Sequence, residues 1–165
     1  MRYIYIGKIV NTHGLKGEVR IISKFKFKNK VFKNGMNIYI GKDKIKEVIN
    51  TYRPHKNFDM ITIMGINNIN DVIKYKGLKV YIDYEELLLN KDEYLDEDLI
   101  GLKVYTNNIY RGVVSKVEYY GSYKLIIVNN NEIEYLVPYV SDIIEKIDFK
   151  DGNIYICDIK GLFDK

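Results

Sequence analysis

The chain has 165 residues, 47 % apolar and 29 % charged, which is ordinary for a folded protein and leaves room for one domain or two small ones. A single cysteine, Cys157, excludes an intramolecular disulfide and a cysteine zinc cluster, and no run reaches the roughly 20 apolar residues of a membrane helix. Residues 1–84 hold 17 Lys+Arg against 6 Asp+Glu, and residues 85–165 hold 9 against 16, so two domains meeting different partners are expected, one polyanionic and one basic.

The N-terminus, Met1-Arg2-Tyr3-Ile4, enters alternating residues without the apolar core of a signal peptide, and a soluble cytoplasmic protein is expected. Ile, Val and 16 Tyr dominate the apolar set, which suits the pleated surface of a sheet. Strands are expected at Arg2–Asn11, Glu18–Ser23, Asn37–Ile40, Lys44–Tyr52 and Met60–Met64, with Gly41-Lys42-Asp43 as a hairpin turn. Asn67–Lys76 departs from alternation: Ile69, Val72, Ile73 and Tyr75 follow helical spacing, and Gly77 stands where a helix would stop. Leu78–Ile82 returns to strand.

Asp83–Asp98 concentrates eight carboxylates around Leu87-Leu88-Leu89 and reads as a connector with a short helical turn, its leucines docked on a domain. Beyond it, strands are expected at Leu102–Thr106, Tyr110–Glu118, Lys124–Val128, Ile133–Val137, Ile143–Ile147 and Ile154–Cys157. Asn107-Asn108, Gly121-Ser122, Asn129-Asn130-Asn131 and Asp151-Gly152 punctuate them, because Asn and Gly tolerate the left-handed backbone of tight turns. The fold class is all-β: two small barrels in tandem, with a short helix in the first. The division is 1–84 as a basic domain, 85–97 as an acidic connector and 98–165 as a second domain.

The segment Gly7-Lys8-Ile9-Val10-Asn11-Thr12-His13-Gly14-Leu15-Lys16-Gly17-Glu18-Val19 resembles the N-terminal signature of the RimM family. Asp98-Leu99-Ile100-Gly101, Gly112-Val113-Val114, Leu125–Val128, Leu136–Val140 and Gly161-Leu162-Phe163 resemble a PRC-barrel domain in order and spacing. The resemblance covers nearly the whole chain. It implies a translation-factor-like N-terminal barrel joined to a C-terminal PRC barrel, and a non-enzymatic factor that binds the free small ribosomal subunit. It implies further that this factor assists assembly of the 30S head and efficient 16S rRNA processing. The partners implied are that subunit, its head 16S rRNA and ribosomal protein S-nineteen, with no membrane, no cofactor and a monomeric chain. The family's adjacent aromatic pair, which grips the ribosomal protein, corresponds to Tyr94 and Leu95, so only the first aromatic is kept. Where an acidic residue is usual after the Gly121 turn, Lys124 stands.

Read as residues, the candidate rRNA or ribosome contacts are His13, Lys16, Arg20, Lys24, Lys26, Lys28, Arg53 and His55. Lys24–Lys30 alternates strictly, which places lysines on one face and Phe25 and Phe27 on the other. It reads both as a phosphate-contacting stripe, reinforced by Lys16, Arg20 and Lys33, and as a solvated edge strand, two compatible readings. Arg53-Pro54-His55-Lys56 is expected on a loop. Gly7, Gly14, Gly17 and Glu18 are expected to shape the His13 loop, with positive φ at Gly14 or Gly17. A phosphate cradle is disfavoured there, because the glycines lead into a strand and not into a helix N-terminus. Tyr119, Tyr120 and Tyr123 could anchor a partner but lean towards packing.

Two histidines and no nucleophile motif leave no visible catalytic or metal apparatus. Two rivals remain: an RNA-processing enzyme, which should show a carboxylate cluster or a cofactor loop, and a PRC-type adaptor or RNA-binding module acting away from the ribosome.

Overall fold

The computed structural model describes residues 1–164. The chain divides into two units, Met1–Lys91 and the residues from Asp92 onward. The boundary therefore falls inside the acidic stretch.

The first unit contains β1 (Tyr3–His13), β2 (Glu18–Ile22), the single-turn helix α1 (Lys28–Val31), β3 (Asn37–Ile40), β4 (Ile45–His55), β5 (Phe58–Ile63), β6 (Lys79–Asp83) and the single-turn helix α2 (Tyr84–Leu87). The six strands close into a barrel in the order β1-β2-β5-β4-β3-β6. Alternation fills its interior with Ile6, Ile21, Ile38, Ile49, Ile63 and Ile82, all buried.

β1 is inward-facing at Ile4 and Ile6 but again at Ile9, which breaks a period of two. A bulge between Tyr5 and Gly7 absorbs the odd residue and restores the inward set. Gly7 thus lies within a strand and not in a loop, and the need for glycine there is steric. A Cβ would come to 2.8 Å from both Ile21 Cγ2 and the Ile22 carbonyl oxygen.

Two other expectations are corrected. Lys24–Lys30 is not a strand: Ser23 Oγ donates to the Ile6 carbonyl (2.5 Å) and accepts from the Phe25 amide (3.1 Å), which turns the chain off the barrel and into α1. Arg53–His55 continues β4 and is not a loop. Pro54 is tolerated because β3 pairs β4 only as far as Val48, which leaves that edge of β4 without a β3 neighbour. The helical stretch forms two successive 3-10 turns, Ile69–Asp71 and Ile73–Tyr75, with Asn68 Oδ1 accepting from the Asn70 amide and Val72 and Tyr75 buried.

The second unit opens with a 3-10 turn at Asp96–Leu99 and continues as β7 (Lys103–Thr106), β8 (Ile109–Tyr120), β9 (Tyr123–Asn130), β10 (Ile133–Pro138), β11 (Ile144–Asp148) and β12 (Asn153–Ile156). They form one sheet in the order β10-β9-β8-β7-β12-β11. After β10 the chain crosses from one edge of the sheet to β11 at the other, and β12 then lies parallel to β7, the first strand of the unit. Its core joins Leu99, Val104, Val114, Ile126, Val128 and Ile154. At the acidic stretch, Leu87 is buried while Leu88 is 75 % exposed, so only part of the leucine run docks.

Candidate binding surfaces

Two hairpins bring the polar residues of the first barrel together at one end. The β1–β2 hairpin ends on the pair His13↔Glu18, and Gly14 and Gly17 close it with φ of +74° and +92°. Gly17 is the tighter of the two, since a Cβ there would meet the Asn68 backbone at 3.3 Å. The β4–β5 hairpin ends on His55↔Phe58, with Lys56 in the left-handed region. Because β2 also pairs with β5, the two hairpins lie side by side.

Side chains then lock across the strands. Glu18 accepts two hydrogen bonds from Arg53, from Nε at 2.9 Å and from Nη2 at 2.7 Å. That fork holds the Glu18 carboxyl below the usual carboxylate range, against the opposing effect of partial burial. Arg20 Nη2 donates to His13 Nδ1 at 2.7 Å. The His13 and His55 rings stand 6.2 Å apart, and the Arg20 guanidinium lies 5.4 Å over the Phe58 ring. Arg20 Nε is buried without a hydrogen-bond partner. His13, Glu18, Arg20, Arg53 and His55 therefore form one cluster, with exposed Lys16 on the adjoining connection.

The lysine stripe does not form. Lys24 and Lys26 are exposed on irregular backbone, and Lys28 faces Asp59 Oδ2 at 2.8 Å. Asp59 is the residue that sequence reasoning missed. It is buried, and its other oxygen accepts from the Tyr52 hydroxyl at 2.7 Å. Burial, followed by the bond to Asp59, pushes the Tyr52 phenol up to about 12. Lys28 is thus the counter-charge of a buried carboxylate, and the alternating pattern gave no signal of that.

In the second unit, Tyr94 is half-buried, packs against the core and tilts its ring over Phe149 at 5.3 Å, with its hydroxyl bonded to that of Tyr139. Leu95, matched with it to the family's gripping pair, would have to reach the surface to grip a partner, but it is only 6 % exposed. The cause is local. Its amide donates to Asp98 Oδ2 and its carbonyl accepts from the Asp98 amide, both at 2.9 Å, so the 3-10 turn begins at Leu95 and fixes it inward. Lys124 forms an ion pair with Asp96 at 2.5 Å, and Asp96 also accepts from the Tyr119 hydroxyl. Tyr119, Tyr120 and Tyr123 at the β8–β9 tip are exposed and not packed, the last at 75 %. Among the described residues, no group of three or more His, Cys, Asp or Glu side chains is placed to hold a metal ion, and no helix is long and apolar enough to cross a membrane.

Comparison with known proteins bears on both units. Residues 4–87 match the family model of the RimM N-terminal domain, and residues 96–162 match that of the RimM PRC barrel domain. The chain belongs to the RimM family. Among its relatives, the ribosome maturation factor RimM of an Exiguobacterium species is 36 % identical over 169 residues, covering 99 % of this chain and 98 % of that protein. The factor of the same name from Staphylococcus haemolyticus is 38 % identical over 98 % of this chain and 99 % of its own. That from Streptococcus mutans is 34 % identical over 100 % and 99 %. Membership carries a role in ribosome maturation and a ribosome-related interaction. In RimM terms the polar cluster belongs to the N-terminal domain, and residues 88–95, Tyr94 and Leu95 included, fall between the two family domains.

Proposed function

We propose that this RimM protein is a non-enzymatic assembly factor that binds the free small ribosomal subunit, assists formation of its head and promotes 16S rRNA processing. The observation that carries the reading is the charge division: 17 Lys+Arg against 6 Asp+Glu in residues 1–84, and 9 against 16 beyond. A basic barrel attracts phosphate, whereas an acidic unit repels RNA and attracts a basic ribosomal protein, for which S-nineteen is the candidate.

Within the barrel, Arg20, His13, His55 and Lys16 supply the phosphate-facing groups, with Lys24 and Lys26 as exposed additions. Arg53 is held by Glu18, so it shapes the cluster more than it adds charge. Lys28 is excluded by its ion pair with Asp59. In the second unit Tyr94 remains the anchor candidate, while Leu95 supports the turn that presents it. Lysine and arginine attract phosphate without reading bases, so specificity comes from shape and from the protein partner.

The factor acts by binding differences. It favours a late conformation of the head and leaves when the mature surface no longer fits it. Sedimentation of cell lysate tests the reading. Co-migration with free small subunits, and not with complete ribosomes, is the expected result; absence from every ribosomal fraction would favour an adaptor acting elsewhere.

A further inference from the structure

A row of aromatic side chains crosses the outside of the first barrel. Tyr5 on β1 pairs with Tyr81 on β6, Tyr81 pairs with Tyr39 on β3, and Tyr39 pairs with Lys46 on β4. Directly opposed residues share a face of the sheet, and the alternate positions Ile4, Ile6, Ile38, Ile40, Val80 and Ile82 fill the interior, so this row faces outward. Tyr3 joins it from two residues along β1. Its ring centroid lies 5.2 Å from Tyr39 and 6.4 Å from Tyr81, and Tyr5 lies 6.0 Å from Tyr81, all edge to face. Tyr39 is buried beneath the others, while Tyr5 and Tyr3 are 51 % and 39 % exposed.

Lysines border the rings. Lys44 Nζ sits 4.2 Å from the Tyr81 centroid and 5.4 Å from that of Tyr3, and Lys79 Nζ sits 5.8 Å from Tyr5. Lys46 ends the row, and exposed Lys8 pairs with Lys79. The carboxylates nearby are Glu86 and Asp83, both close enough to act on Tyr39, with Asp83 half-buried opposite Tyr3, and Asp43 in the β3–β4 turn. Along β1 this face lies roughly 25 Å from the His13 cluster, at a rise of about 3.3 Å per residue, so it is a separate surface.

We propose that this face is a stacking platform for a single-stranded RNA segment: bases lie on the exposed Tyr3 and Tyr5 rings, Tyr81 supports them from beneath the Lys44 ammonium, and the backbone runs past Lys8, Lys44, Lys46 and Lys79. Solvent-facing rings accept any base by stacking, and ammonium groups spaced along the row match a phosphate chain. A protein partner would have to bring acidic groups to the same lysines, and the barrel's excess of positive charge favours the polyanion. The inference deepens the proposed function, on which it rests, by making unpaired RNA the ligand of the basic unit.

The test uses the full chain and a labelled oligo(A) RNA of about 12 nucleotides, within the range such grooves accommodate. Tyr5→Leu/Tyr81→Leu keeps apolar cover on the strands and removes the rings; affinity is expected to fall tenfold or more with its salt dependence unchanged. Tyr5→Phe/Tyr81→Phe keeps the rings and should stay within about twofold of the parent, since stacking needs the π-face and not the hydroxyl. Lys44→Gln/Lys79→Gln should leave the rings in place and flatten the log–log salt slope by about 1.4, at about 0.7 per single-strand phosphate contact. Unchanged oligo(A) affinity in a folded Leu variant overturns the proposal, as does loss in the Phe variant or a salt slope unmoved by the lysine variant. Should the Leu variant lose a protein partner but keep its RNA, the face is a protein surface and the proposal is wrong. Parental protein that co-sediments with small subunits yet ignores oligo(A) defeats this inference alone, whereas failure of both defeats the proposed function as well.

Discussion

The two units treat their surface residues in opposite ways. In the basic barrel, side chains that look like outward contacts are claimed from within: Arg53 by Glu18, and Lys28 by Asp59. In the acidic unit, tyrosines that look like packing residues stand exposed at the β8–β9 tip, while Leu95, matched to the family's gripping pair, is buried. A charged residue's availability is thus set by whether the fold supplies a counter-charge, and an apolar residue's by whether a turn directs it inward. Neither follows from alternation.

The sharpest way to break this contrast is at Leu95. If it is a core residue, Leu95→Ala destabilises the protein by about 2–5 kcal/mol, the usual cost of a large-to-small buried substitution, whereas Tyr94→Phe costs about 1 kcal/mol through one lost hydrogen bond. Denaturant unfolding reads both. A negligible loss at Leu95 would return it to the interface.

Asp59 comes next. Asp59→Ala leaves the Tyr52 hydroxyl without its acceptor and Lys28 without its counter-charge and is expected to cost about 2–3 kcal/mol, while Lys28→Gln costs less because that side chain reaches solvent. Equal costs would show that the carboxylate is stabilised by Lys28 alone. Gly17→Val follows, at about 1–3 kcal/mol, because φ is positive and the Asn68 backbone is close; Gly14→Val meets no neighbouring atom and bears only the φ penalty, so it should cost less.

How much of this was legible depended on how local the cause was. Turn positions were readable because Gly and Asn have a conformational reason to be there: Asn107, Asn108 and Asn131 all take positive φ. The strands followed from alternation. The misreadings were tertiary. Lys24–Lys30 alternates well but has no strand to pair with once Ser23 turns the chain. Pro54 looked like a loop residue because nothing in the sequence tells that β3 ends before reaching it. In the site, the sequence named His13, Glu18, Arg20, Arg53 and His55 one by one, and only the pairing of β2 with β5 joins them. The tyrosine row was hidden for the same reason, since its members come from three strands far apart in the chain.

The smallest expected effect is electrostatic. Because the Glu18 carboxyl is held below its unfolded value, its contribution is present at neutral pH and is lost as pH falls through the folded value, below the ordinary carboxylate range. Glu18→Gln should remove that part of the acid sensitivity while costing no more than about 1 kcal/mol at neutral pH, since Arg53 is exposed. An acid-unfolding profile identical to that of the parent would show that the fork contributes nothing measurable.

The central claim, a division of labour between a basic and an acidic unit, is tested most directly by expressing residues 1–91 and 92–165 separately and titrating each with 16S rRNA fragments across salt. The account predicts that residues 1–91 bind, with affinity falling by orders of magnitude between about 50 and 200 mM salt, and that residues 92–165 do not. RNA binding by residues 92–165, or salt-independent binding by residues 1–91, would contradict it.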